Sequence, residues 1–127
     1  MKAIHNLDFS RTRRHGEDPM TPKKRAEVPP VAHPIIRIHT ETNLKSIFLG
    51  DHAEEIEGWD YDLGRNFTEK MNQAITPAKY IYKHQWQPQQ IAIWDNRCLF
   101  HRATPYDTKK KKKGLRRCTM NGDQPYR

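Results

Sequence analysis

Cysteine is nearly absent: the 127 residues hold two, Cys98 and Cys118, and they do not form a CxxC pair. Two isolated thiols exclude a disulfide-stapled secreted scaffold and point to a reducing compartment. Long apolar runs are also missing. No stretch approaches the roughly 18 to 20 apolar residues of a membrane span, and Met1 to Ser10 lacks the apolar stretch of a secretory leader. A cytoplasmic protein without a membrane partner is therefore expected. Hydrophobic residues make up 35% of the chain and the mean hydropathy is -1.04, so the core must be small or incomplete. A chain of this length supports one domain or part of one.

Acidic residues are in deficit, 15 against 23 Lys and Arg, which leaves a net charge of +8. A basic surface attracts phosphate backbones. Here, however, five of the lysines form one block, Lys109 to Lys113, and Lys23-Lys24-Arg25 is another loop-like run. Such runs read as solvated loops. No zinc finger, helix-turn-helix or RNP pattern accompanies them, so a basic nucleic-acid-associated protein is the least favoured of the functional classes considered.

Residues 1–34 are polar and punctuated by Pro19, Pro22, Pro29, Pro30 and Pro34, and they read as an extended segment ahead of a folded unit over residues 35–127. Ile35 to His39 and Lys45 to Leu49, separated by Glu41-Thr42-Asn43, predict two short strands joined by a turn. Between Asp60 and Pro77, Leu63, Phe67, Met71, Ala74 and Ile75 recur at helical spacing, with an aspartate at the start and a proline at the end. One helix is expected there. Strands are expected over Lys79 to Trp86, Gln90 to Trp94 and Cys98 to Arg102, with a tight turn at Asp95-Asn96-Arg97.

Strand alternation sets Leu99 and His101 on the face opposite Cys98 and Phe100, and sets Lys113, Leu115, Arg117 and Thr119 on one face of a last strand. A histidine and two cations can then converge on one cavity. Two histidine-x-carboxylate pairs, His15-Gly16-Glu17 and His52-Ala53-Glu54, have the spacing of a facial triad's paired ligands. The other histidines, His5, His33, His39 and His84, have no metal spacing to one another. Trp94, Tyr80, Tyr82 and Trp86 read as packing, and Asp95, Asn96 and Arg97 as a turn with a buried ion pair.

Several stretches resemble the taurine dioxygenase and 2,4-dichlorophenoxyacetate dioxygenase family. They are Val28-Pro29-Pro30 through His33-Pro34-Ile35-Ile36-Arg37-Ile38-His39, His52-Ala53 to Gly58, Trp86-Gln87-Pro88, Ile91 to Arg97, His101-Arg102-Ala103, Arg116-Arg117 and Gly122 to Pro125. The resemblance implies a mainly β fold with one helix, the C-terminal half of a double-stranded β-helix or jelly roll. It implies iron(II) as metal and 2-oxoglutarate as cosubstrate, which such enzymes decarboxylate while oxidising a small anionic substrate, a sulfonate or carboxylate. By position it makes His101 the distal iron ligand, Arg117 the substrate's anion clamp and Lys113 the anchor of the 2-oxoglutarate carboxylate, where the family has arginine. Lysine supplies the charge without the bidentate fork. No catalytic residue beyond these is assigned.

The family's His-x-Asp iron ligands would precede Met1, so the resemblance implies an incomplete enzyme, inactive alone. Such a chain is expected to pair with a complementary N-terminal half or to self-associate. The alternative is an inactive family remnant serving as a binding or structural module.

Overall fold

The computed structural model describes residues 1–15, 17–104, 114, 116–120 and 122. The elements run β1 (Lys2–His5), α1 (Leu7–His15), α2 (Pro22–Glu27), β2 (Val31–Pro34), β3 (Ile36–Ile38), β4 (Lys45–Ile47), β5 (Ala53–Ile56) and α3 (Tyr61–Ile75), with a 3-10 turn at Ala78–Tyr80. A three-stranded antiparallel sheet has the order β2-β1-β5, and β3 pairs with β4 in a separate hairpin.

The stretch read as extended, residues 1–34, holds two strands and two helices. Its prolines are compatible with these elements because of where they fall. Pro22 opens α2 behind the Thr21 cap, where no N–H is required. Pro34 ends β2, which is an edge strand. Asn6 caps α1, its Oδ1 accepting from the N–H of Asp8 at 2.9 Å, while its Nδ2 donates to Glu54 at 2.7 Å. The single helix expected is thus joined by two more, α1 and α2.

The expected hairpin forms, with Arg37 opposite Ser46. The expected helix also forms, and Asp60 caps it through the N–H of Leu63 at 3.1 Å. Its inner face is shifted from the apolar pattern: Leu63 is 56% exposed, while Gly64 and Thr68 are buried. Gly64 lets α3 lie directly on β5, since a Cβ there would stand 3.1 Å from the Ile56 nitrogen. The core is Ala3, Ile35, Leu49, Ala53 and Ile56, with Ile47, Phe67 and Met71 packed against it.

The three later strands expected, Lys79 to Trp86, Gln90 to Trp94 and Cys98 to Arg102, are not paired in any sheet among the described residues. Their side chains lie open: Tyr82 is 82%, Ile91 87% and Ile93 93% exposed. A strand exists only through its neighbours' hydrogen bonds, and none of the described strands pairs with these segments.

Candidate functional site

The turn at Trp94 to Leu99 is organised by one carboxylate. Asp95 Oδ1 accepts the Arg97 backbone N–H at 2.8 Å, and the Arg97 guanidinium grips both oxygens, with Nη2 at 2.7 Å from Oδ2. The N–H groups of Cys98 and Leu99 end on the Asp95 carbonyl. Hydrogen bonds from the Arg97 side chain and backbone, and then from His39, hold the Asp95 carboxyl well below the usual carboxylate range. The same bonds, with Glu41, push the Arg97 guanidinium up.

This turn is docked onto the β3–β4 hairpin. Arg97 reaches Thr40 Oγ1 at 2.8 Å and Glu41 at 3.0 Å, and Ser46 Oγ donates to the Arg97 carbonyl at 3.0 Å. His39, 7% exposed, meets Asp95 Oδ2 through Nε2 at 3.0 Å. The expected ion-paired turn is present, but the pair is half-exposed rather than buried, and its partners on the hairpin are additions that only the structure supplies. His101 leaves this platform exposed, its ring 5.3 Å from that of Trp94.

The other sequence candidates are placed as follows. Arg117 is exposed. Lys113 and the His15 side chain lie outside the described residues. Of the two histidine-x-carboxylate pairs, His52 is bound to Ser10 through Nδ1 at 2.6 Å and Glu54 to Asn6 at 2.7 Å, so both hold β5 to α1. Glu17 pairs with Arg11 at 3.2 Å. Among the described residues, the group of three metal-binding donors with ligand atoms within 4.8 Å is His39, Asp95 and Cys98, and His101 is not part of it.

A second polar cluster lies under the hairpin. His5 stacks on Phe48 at 4.8 Å, His33 meets both rings edge-on, and the Arg37 guanidinium lies 3.2 Å over the Phe48 ring. Burial, then the positive field of His33, Arg37 and His52, lowers the His5 pKa to about 4. Burial and Arg37 also lower that of His33. No spacing signal marks this cluster in the sequence, because β1–β2 pairing and the hairpin assemble it.

The fold sets an exposed histidine, His101, just beyond the Trp-Asp-Asn-Arg turn, and comparison with known proteins gives the chain a family. The model of the "taurine catabolism dioxygenase TauD, TfdA family" matches residues 1–119, and the chain belongs to that family. The match takes in β1, α1 and α2, upstream of the Val28 at which the sequence resemblance begins. The alpha-ketoglutarate-dependent 2,4-dichlorophenoxyacetate dioxygenase of Burkholderia sp. (strain RASC) is 36% identical over 107 residues, 84% of this chain and 36% of that protein. The (S)-phenoxypropionate/alpha-ketoglutarate-dioxygenase of Delftia acidovorans is 38% identical over 76 residues, 60% of this chain and 26% of its own length. Among solved structures, AAD-2 in complex with Mn(II) and N-oxalylglycine superposes with a TM-score of 0.61 at 26% identity, covering 68% of this chain and 33% of that one. The chain spans between about a quarter and about a third of the length of these relatives.

Proposed function

We propose that this chain is the C-terminal part of an iron(II)/2-oxoglutarate-dependent dioxygenase acting on a small carboxylate or sulfonate, with residues 35–127 supplying part of its jelly roll. The observation that carries this reading is the Trp94 to Leu99 platform, which presents His101 outward with no hydrogen-bond partner among the described residues. In this reading His101 is the distal iron ligand, Lys113 meets the far carboxylate of 2-oxoglutarate as a point charge, and Arg117 holds the substrate anion. When bound, iron(II) and 2-oxoglutarate would supply the oxidising chemistry.

The described residues fit that metal only in part. His101 offers one imidazole, and the three-donor group at His39, Asp95 and Cys98 stands apart from it. One ligand cannot define an iron centre, so no reaction step is assigned to this chain alone. The same fact favours a second reading, an inactive family remnant that binds a partner.

Anaerobic titration separates these possibilities. The isolated chain is expected to bind iron(II) weakly, and a complementary segment carrying a His-x-Asp pair is expected to restore binding and succinate formation, both lost in His101→Ala. Restored assembly without succinate supports the remnant. Micromolar iron binding by the isolated chain, lost in His52→Ala or Glu54→Ala, overturns the ligand assignment.

A further inference from the structure

We infer that His39 is a positioning residue, locked in one tautomer, that fixes the turn from which His101 is presented. Its purpose rests on the proposed reading of His101 as a ligand, whereas the geometry and the test below need neither iron nor turnover. The His39 ring is buried, and its Nδ1 faces the backbone N–H groups of Glu41 and Thr42 at 3.3 Å each. An amide N–H can only donate, so Nδ1 must present its lone pair. The proton of the neutral ring then sits on Nε2 and is donated to Asp95 Oδ2 at 3.0 Å.

This assignment decides what the His39, Asp95 and Cys98 group can do. A metal on Nε2 would move the ring proton to Nδ1, directly against two amide donors. It would also have to displace Arg97, which holds Asp95 Oδ2 at 2.7 Å. The cluster is therefore a hydrogen-bonded strut.

The backbone of His39 is fixed as well, its N–H donating to Leu44 and its carbonyl accepting from Asn43, both at 2.9 Å. Asp95 is thus held from the hairpin by His39 and from its own turn by Arg97. The Arg97 bonds reach both oxygens but come from the same turn, so they fix the carboxylate within that turn, whereas the His39 bond ties it to the hairpin. Two contacts from different elements fix its orientation. Because the Cys98 and Leu99 N–H groups end on the Asp95 carbonyl, that orientation sets the direction of the chain two residues before His101.

Proton-detected magic-angle-spinning NMR tests the inference and reads soluble and self-associated chain alike. In the unsubstituted chain, His39 Nδ1 is expected to resonate as unprotonated and Nε2 as protonated. The His101 ring protons are expected to be displaced by the ring current of Trp94, 5.3 Å away. His39→Leu is expected to lose most of that displacement, whereas His39→Gln, whose amide N–H can still reach Asp95, keeps at least half. Asp60→Ala weakens the fold at α3, away from the turn, and is expected to keep all of it. A proton found on Nδ1, or His101 shifts unmoved in His39→Leu, overturns the inference. A cobalt(II) charge-transfer band that requires both Cys98 and His39 overturns it too, since it would make the cluster a metal site.

Discussion

At the scale of single residues, the chain concentrates its electrostatics in two places, and acid weakens both, over different pH windows. Asp95 is an acid whose folded pKa is depressed, so its contribution is present above the ordinary carboxylate range and is lost as pH falls below that range through the depressed folded value. His5 is a base with a depressed folded pKa. The unfolded chain takes up its proton near 6.5, while the folded one resists until about 4. Its neutral form is therefore favoured by folding, stability is full above about pH 7, and it declines as pH falls through that window. His33 adds to the decline in the same direction, because Arg37 and burial act on it alike. The melting temperature is expected to drop steadily from pH 7 to 5, before the carboxylates titrate. His5→Gln is expected to flatten much of that slope, and a melting temperature constant across the interval in the unsubstituted chain refutes the account.

At the scale of elements, α3 is the best defined. Its cap is a single Asp60 carboxylate on the Leu63 N–H, and removing a cap of this kind costs about 1 kcal/mol. Asp60→Ala is expected to lower stability by that amount in denaturant unfolding, whereas Asp62→Ala, which makes no cap bond, is expected to cost about half or less. Gly64→Ala sets two effects against each other. Helix propensity alone favours alanine by about 1 kcal/mol. The new Cβ, however, would meet the Ile56 nitrogen at 3.1 Å, in a strand paired with β1 and held under the helix. That backbone has little room to retreat, so a net loss of stability is expected, and a gain would show that α3 can slide on β5.

At the scale of the whole molecule, what stands out is how little of the later chain is enclosed. Among the described residues the buried apolar ones number five, all at or before Ile56, while Tyr82, Ile91, Ile93, Leu99 and Met120 are open. Extended segments without neighbours expose backbone donors and apolar side chains together, which promotes association. The isolated chain is expected to elute well above its 15.1 kDa and to melt over a broad transition. Addition of a complementary N-terminal half is expected to convert it to a defined, cooperatively melting complex. A monomer with a sharp reversible transition refutes the half-barrel proposal, because the chain would then close its own core.

Local physics made the hairpin and α3 legible from sequence: β-branched runs around Glu41-Thr42-Asn43, and apolar residues at helical spacing between an aspartate and a proline, act over a few residues. The order of residues also determined the Trp94 to Arg97 turn, since Asp95 and Arg97 are two apart and need no distant partner. Tertiary structure decided the rest. Proline counts alone could not reveal that Pro22 opens a helix and Pro34 ends an edge strand, for proline is tolerated or excluded by its place in an element. Alternation in Gln90 to Trp94 marks a segment able to pair, but a ladder also requires a neighbour, which the described residues do not supply. Likewise His39 and Asp95 stand 56 residues apart. Only the docking of hairpin on turn brings them within hydrogen-bonding distance, because a side chain's partners are set by where the backbone returns.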